Sequence, residues 1–449
     1  MKHTTRLIAC LLALALTACT AAPQDMPAST TTETAAAPAQ TAEPTTETPA
    51  MQGTLTPIYT AWGTAVGQDA VYSAMNIDDA GQYFATTIDF TTGEQRILCK
   101  KLGCSHADES CPAYMTAIRN GCVPQAMLLP VGDRLYWLVD GRHNESDSAY
   151  LDVSNLDGSD RRRVAEGDDL PDLTNAYVWY TDGTALYTFV RGYDKCSVLR
   201  LDEGGATCFF TRSIPDGEDY FAVGCWQDKI VLQHSGGYLQ QPLNPAGEAA
   251  TDEELRAWLA ADEEAQKEQT KNLCLLDTAG GMTDTDMTWG GDAGNVQLVH
   301  NGAAYVLNES GLVTKFDLTA GTAQTRQLDL QGVLYGVVEG ARLDGWIPVT
   351  VRDDSEGLLN PETGVYTPLP TTWLKDQAVE RSPFIVAASD TMLLVKYGEI
   401  YYTTNDIGTD GAPYSFTTCR GEYGIISVKD YLAGSQDWVQ VTLQGRDLV

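Results

Sequence analysis

The sequence predicts an all-β protein, a β-propeller of seven four-stranded blades, and three observations carry that reading. The first is one well-formed unit, LYWLVDGRHNESDSAYLDVSNLDGSDRRRVA, running from Leu135 to Ala165. It has an aromatic strand start at Leu135-Tyr136-Trp137, a polar turn at His143 to Asp147 and a second strand at Tyr150 to Ser154. The second is the turn that follows. Asn155-Leu156-Asp157-Gly158 sets an Asx side chain that bonds its own backbone ahead of a Gly that tolerates positive φ, reversing the chain into Arg161 to Val164. The third is recurrence. Turns from Asx to Gly, flanked by strand-like runs, fall at Asp89 to Gly93, Asn155 to Gly158, Asp202 to Gly205, Asp277 to Gly281, Asp317 to Gly321, Asn360 to Gly364 and Asp406 to Gly411. Their Gly-to-Gly steps are 65, 47, 76, 40, 43 and 47 residues. A four-stranded blade takes roughly 40 to 50 residues, so most steps hold one blade and two carry insertions. Ordinary hairpins of a sandwich or barrel are the competing reading, because Asx-Gly turns occur in any antiparallel sheet.

The chain opens with a secretion signal, expected to span residues 1–18. Lys2 and Arg6 precede an apolar run from Leu7 to Ala15 that is short for a membrane span, and Leu16-Thr17-Ala18-Cys19 follows at once. This tetrapeptide matches the bacterial lipobox. The resemblance implies that Cys19 carries a diacylglyceryl group and becomes the mature N-terminus, which places the protein on the extracytoplasmic face of the cell membrane, and two acyl chains anchor stably where one is marginal. Residues 19–54 form the next segment. From Thr20 to Gln52 it is built of Thr, Ala, Pro, Glu and Ser with no aromatic residue, so it has too little apolar surface to offset chain entropy and is expected to be a disordered tether. The propeller is expected over 55–449.

Charge limits the partners. A net charge of −32 repels phosphate backbones, so nucleic acid is excluded as a partner and the acidity is read as a solubilising surface. A monomer is expected.

In the first blade, Ile58 to Trp62, Asp69 to Met75, Tyr83 to Phe90 and Gln95 to Cys99 read as strands. They lead into CKKLGCSHADESC, which holds Cys99, Cys104, His106 and Cys111, with Cys122 beyond. Of 11 Cys, Cys10 leaves with the signal and Cys19 is lipidated; the odd number that remains cannot all pair. Cys99, Cys104, Cys111 and Cys122 are expected to form two disulfides across an irregular loop, as suits an exported chain. A zinc set of Cys99, Cys104, His106 and Cys111 is the alternative, and free thiols the third; the pattern lacks the Cys-x2-Cys knuckle of zinc ribbons. Cys196, Cys208, Cys225, Cys274 and Cys419 read as buried thiols.

The second blade carries a family likeness. Leu135-Tyr136-Trp137 with Ser154-Asn155-Leu156-Asp157-Gly158-Ser159 and Arg161-Arg162-Arg163 resembles the YWTD blade and the TolB-like propellers of bacterial lipoproteins. The resemblance implies a lipid-anchored propeller and assigns no functional residue.

Ala176 to Tyr180, Leu186 to Arg191, Cys196 to Leu201 and Thr207 to Thr211 make a third blade. The fourth starts near Phe221 and carries the one helix, over 251–268. Thr251-Asp252-Glu253-Glu254 is a capping box and Leu255, Trp258 and Leu259 share a face, so the helix is expected to pack on the propeller through Trp258. Val296 to Leu307 with Leu312 to Leu318, Val333 to Val338 with Trp346 to Val351, and Phe384 to Ala388 with Met392 to Tyr402 supply blades five to seven. The last run, Trp438 to Leu443, either pairs into blade one or is matched by the segment near Ile58 completing blade seven, since a ring must close.

No Gly-x-Ser-x-Gly elbow, His-Glu-x-x-His or phosphate-binding glycine loop occurs, and no cofactor is implied. His143, His234 and His300 read as structural, and Asp284 and Asp286 before Gly290-Gly291 read as a solvated acidic turn rather than a calcium loop. The expected function is a non-enzymatic surface receptor or envelope scaffold that binds a protein or glycan. The alternative is a polysaccharide hydrolase or lyase using channel carboxylates. Cys19→Ser should release the protein from the membrane fraction and abolish lipid labelling; a variant that stays membrane-bound and labelled would refute the anchor.

Overall fold

Asx-Gly turns recur at blade spacing because six of the seven join the last two strands of successive antiparallel sheets. The computed structural model describes residues 53–59, 63–67, 69–76, 82–117, 125–140, 149–171, 173, 176–237, 251–330, 343–351, 356–369, 383–407, 413–443 and 447–448. Strand β1 (Thr56–Ile58) precedes the first blade. Blade one holds β2 (Ala65–Val66), β3 (Ala70–Asn76), β4 (Gln82–Asp89), β5 (Gln95–Ile97) and β6 (Tyr114–Ala117). Blade two is β7 (Gln125–Val131), β8 (Arg134–Asp140), β9 (Tyr150–Asn155) and β10 (Arg162–Glu166). Blade three is β11 (Ala176–Thr181), β12 (Leu186–Arg191), β13 (Lys195–Asp202) and β14 (Gly205–Ser213). Blade four is β15 (Glu218–Trp226), β16 (Lys229–Gly236), β17 (Thr270–Asp277) and β18 (Met282–Gly290), and blade five is β19 (Asn295–His300), β20 (Ala303–Leu307), β21 (Leu312–Asp317) and β22 (Thr322–Gln327). Blade six shows β23 (Ile347–Thr350), β24 (Glu356–Asn360) and β25 (Val365–Pro368); the expected strand Val333 to Val338 lies outside the described residues. Blade seven is β26 (Phe384–Ala388), β27 (Met392–Ile407), β28 (Pro413–Ser427) and β29 (Val439–Gln440), and β30 (Asp447–Leu448) ends the chain.

The turn chemistry is as the residues require. Asp89 Oδ1 accepts from the amides of Thr91 and Thr92, each at 2.8 Å, Asp317 Oδ1 from Thr319 and Ala320, and Asn360 Oδ1 from Thr363. The seventh turn differs. Asp406 to Gly411 joins β27 to β28, the second and third strands, and residues 408–412 lie outside the described set. In blade seven the last two strands are joined instead through the short helix Val428–Leu432, capped by Ser427.

Seven hydrophobic clusters fill the seams, one between each pair of neighbouring blades. Strand β8 shows how one strand serves two of them. Leu135, Trp137 and Val139 face blade one and Tyr136 and Leu138 face blade three, because alternate side chains leave opposite faces of a strand. Trp137 is fully buried, donates its indole N–H to Ser154 Oγ at 2.7 Å, and lies under the Arg161 guanidinium at 4.0 Å. Asp152, buried itself, pairs with both Arg161 and Arg163, so the arginine run secures the blade's outer strand.

The ring closes in blade one. β30 pairs with β3 at Met75 and Asn76, beside β2 on the same edge, so the innermost strand of that blade comes from both ends of the chain. The run expected to close the ring, Trp438 to Leu443, instead places β29 on β28 in blade seven and bridges blade one at Glu94 and Thr442, so the closing strand is β30 beyond it. Of the strand expected at Ile58 to Trp62, residues 60–62 lie outside the described residues; β1 spans Thr56–Ile58 and adds to the inner edge of β11, making blade three five-stranded. The run Val296 to Leu307 is broken by the Asn301-Gly302 turn into two strands. Asp284 and Asp286 sit on β18, not in a turn, and Asp284 accepts from the Cys274 thiol.

The helix Asp252–Glu268 forms with its capping box intact, Thr251 N donating to Glu254 Oε2 at 2.8 Å and Glu254 N to Thr251 Oγ1 at 3.3 Å. It packs beside the Gly291–Ala293 turn, with Leu255, Trp258 and Leu259 half-buried. Among the described residues no helix is long and apolar enough to cross a membrane.

Gly158 and Gly321 both adopt positive φ, 78° and 66°, but a Cβ on Gly158 would lie 2.8 Å from the Leu98 carbonyl oxygen, whereas one on Gly321 meets nothing within 4 Å. Left-handed backbone costs an L-residue about 1–2 kcal/mol, so Gly321→Ala should lose roughly that, and Gly158→Ala more because a backbone must also move. Urea unfolding checks the difference; equal losses would contradict the seam between blades one and two.

Candidate functional site

Strands alternate in direction, so turns after the first and third strands of every blade lie on one face of the disc and those after the second strand on the other. The first face carries the mouth of the central channel. Its inner turns show a second period that the sequence reading overlooked: Asp69, Asp133, Asp182, Asp228, Asn301 and Asp390 occupy the turn between the inner pair of strands in blades one to five and seven, and Asp344 stands just before β23, the first described strand of blade six. The signal was present as a Gly-Asp, Asp-Gly, Gln-Asp, Ser-Asp or Asn-Gly pair between strand-like runs. The side chains at these positions differ in what they hold: Asp228 pairs with Lys229, whereas Asp182 serves backbone geometry. Asp182 accepts from the Thr184 and Ala185 amides at 2.8 and 2.9 Å and from the Tyr187 hydroxyl at 3.0 Å.

The chain's own N-terminal segment lies in the channel. β1 pairs with the inner strand of blade three, Leu55 N donates to Gln227 O in blade four at 2.6 Å, and Tyr59 packs against the core between blades six and seven. Leu55, 3% exposed, belongs to the core between blades three and four. A cavity of about 530 Å³ remains at the mouth, lined by Ile58, Tyr59, Pro130, Thr181, Asp344 and Asp390 among others.

A second cavity, about 340 Å³, opens on the same face between blades five and six. Its polar groups are paired with one another. Lys315 Nζ reaches Glu362 at 2.6 and 2.8 Å, the Tyr305 hydroxyl donates to the same carboxylate, and His300 Nδ1 lies 2.9 Å from Asp344 Oδ1 while its Nε2 meets Asn301 Nδ2. The Lys315 ammonium, helped by Tyr305, holds the Glu362 carboxyl below its usual range, and burial raises the Tyr305 phenol. His234, outside both cavities' linings, stacks on Tyr220 at 4.5 Å and bonds to Asn272 and Glu218.

The opposite face carries the excursions. The helix Asp252–Glu268 follows the second strand of blade four, and the β27–β28 hairpin follows that of blade seven. Neighbouring strands stop early: β26 pairs only as far as Lys396 and β29 only at Gly424 and Ile425. Beyond Gly398, among the described residues, β27 and β28 pair with each other alone, forming a two-stranded arm. Gly398 and Gly421 mark its base; a Cβ on either would collide with Glu422 or Tyr423. The arm carries exposed apolar side chains from near its base to near its far end. Ile400, Tyr401, Tyr402 and Tyr414 are 45%, 45%, 37% and 48% exposed. By strand alternation and register, Ile400, Tyr402 and Tyr414 share one side.

The cysteine loop lies at the disc's rim. β5 and β6 share the outer edge of β4, and the chain between them loops out with Cys99, Cys104, His106 and Cys111. The three thiols are unbridged, so the expected disulfides are not formed among them; Cys122 lies outside the described residues, as do Cys19, Cys10 and His143. The four side chains converge, with every ligand atom within 4.8 Å of the others and His106 Nδ1 at 3.3 Å from Cys111 Sγ. An amide contact at His106 lowers the Cys104 thiol, and burial pushes Cys111 up to about 12. Of the cysteines expected to be buried, Cys196 and Cys274 are, Cys225 is half-buried, and Cys208 is exposed because its strand is the outer edge of blade three.

Burial pushes the Asp182 carboxyl up, but its hydrogen bonds outweigh burial and hold it below its ordinary value. A carboxyl lowered on folding adds stability above its unfolded pKa, near 3.9, and loses it as pH falls through the folded one. The stability advantage of the parent over Asp182→Asn should therefore shrink as pH drops from about 5 to about 2; a difference constant with pH would contradict the role assigned to this turn.

No family model matches the chain, and no curated protein matches it. Solved structures do align with it. BamB from Moraxella catarrhalis is 11% identical, covering 83% of this chain and 94% of that one with a TM-score of 0.33. The β-propeller domain of the Trilobed protease from Pyrococcus furiosus is 9% identical, covering 87% and 98% with a TM-score of 0.35. A functionally unknown protein from Desulfotomaculum acetoxidans is 10% identical, covering 80% and 92% with a TM-score of 0.34. At these identities and scores the chain's own sheet order and seams, and not its neighbours, establish that it is a seven-bladed β-propeller.

Proposed function

We propose that the protein is an extracytoplasmic lipoprotein, anchored through Cys19, whose propeller is a non-enzymatic docking platform, a receptor or envelope scaffold, for a protein partner. The β27–β28 arm carries this reading. A two-stranded ribbon standing alone is marginal in water, and tyrosines with both an apolar ring and a hydroxyl are the side chains that protein interfaces use as anchors. The arm's outer backbone edges also invite strand addition by an extended segment.

The other face supports the same reading. A polysaccharide hydrolase needs a carboxyl acid held above its usual pKa, paired with a second carboxylate about 5–10 Å away. Glu362 is instead lowered and neutralised by Lys315, and the channel is filled in part by β1. The ring of aspartates around the mouth disfavours anionic ligands, nucleic acid included.

Proximity labelling on intact cells tests the proposal. Tyr402→Ser with Tyr414→Ser should remove the labelled protein neighbours while Glu362→Gln leaves them in place. Loss with Glu362→Gln and retention in the tyrosine variant would overturn it.

A further inference from the structure

The geometry points to a structural zinc site at Cys99, Cys104, His106 and Cys111, clipping the outer loop of blade one onto blade two. Tetrahedral zinc with S at about 2.3 Å and N at about 2.0–2.1 Å sets its ligand atoms roughly 3.5–3.8 Å apart. The four atoms here already lie within 4.8 Å of one another, and one edge, His106 Nδ1 to Cys111 Sγ, is 3.3 Å. Drawing in the longer edges and opening this short one slightly completes the polyhedron.

The backbone is shaped for this convergence. His106 holds φ at 51°, a left-handed conformation that a side chain with a β-carbon disfavours, and Gly103 at 71° turns the chain just before Cys104. Turns closed by Cys104 N to Lys101 O and Cys111 N to Asp108 O, both 3.1 Å, fix two of the thiols. No pair of the three is bridged, so all three remain available as thiolates.

Soft sulfur donors with one imidazole select zinc over the hard, oxygen-seeking cations. Three thiolates, a neutral imidazole and Zn²⁺ sum to one negative charge; Lys101, whose ammonium donates to the Ser110 carbonyl at 2.9 Å, lies within the loop to meet it, while Lys100 pairs with Asp157 of blade two. With four protein ligands no position stays open for substrate, which makes the ion structural. Its mechanical role follows from what the loop touches. Cys111 is part of the core that includes Leu128 and Trp137 of blade two, and Arg161 of that blade donates to the carbonyls of Pro112 and Tyr114 at 3.0 and 2.6 Å. The ion ties this loop together at the seam.

The test uses the full chain purified without reductant or chelator. Metal analysis should find one equivalent of zinc per chain, and replacement by Co²⁺ should produce tetrahedral d–d absorption with thiolate-to-metal charge transfer. His106→Ala and Cys104→Ser should each weaken binding by roughly tenfold or more, while exposed Cys208→Ser keeps the full equivalent. Chelation of the parent should raise amide exchange in residues 98–113 and leave blades four to six protected, which separates loss of the ion from loss of the fold. Absence of zinc and of the cobalt spectrum would overturn the site, as would unchanged zinc in both ligand variants. Disulfides joining Cys99, Cys104, Cys111 or Cys122 in peptide maps would overturn it in favour of a bridged loop.

Discussion

Everything in this molecule depends on joining the two chain ends inside one blade. A sheet with open edges exposes unpaired backbone, and a propeller escapes that only when its last blade meets its first. Here the meeting is made by β2 and β30 sharing the inner edge of β3, by the Thr64 hydroxyl donating to Val386 O at 3.0 Å, and by a core in which Val71, Ile88 and Phe90 pack on Leu394, Tyr423 and Ile425. Glu94 and Thr442 add a parallel bridge at the outer edge. Seven seams then carry the disc, and the faces are left free to differ.

That freedom explains how the faces divide. Turns between the inner strands are tight and aspartate-rich because two to four residues must reverse the chain, and they surround a channel already entered by residues 55–59. Connections after the second strand are under no such limit, and there the chain spends its insertions: a capped helix in blade four and a long ribbon in blade seven. A partner that recognises this protein by more than charge has its apolar material on that second face, at Ile400, Tyr402 and Tyr414.

Much of the fold was legible because it is local. An Asx side chain capping its own turn needs only neighbouring residues, so the turns announced six blades, and the Thr251 to Glu254 box announced the helix. What stayed hidden is non-local. Strand pairing decides that Thr56–Ile58 joins blade three and not its sequence neighbours, and nothing in that tripeptide names a partner across more than 100 residues. The Asp406 to Gly411 turn was counted correctly but for a different connection, since a turn signal does not say which two strands it joins. The cysteine loop was visible as a spacing, yet whether its thiols approach one another or His106 depends on backbone geometry at Gly103 and His106. The tyrosines of the arm carried no signal of exposure, because a strand with alternating aromatics reads the same whether a neighbouring strand covers it or stops short.

Closure through blade one is the claim on which the rest stands, and hydrogen exchange on a chain shortened by residues 444–449 addresses it directly. If β30 is an inner strand of blade one, removing it should strip protection from the amides of Met75 and Asn76 and loosen the seam with blade seven, while blades three to five exchange as before. Unchanged protection at Met75 and Asn76 after the deletion would contradict the closed ring described here.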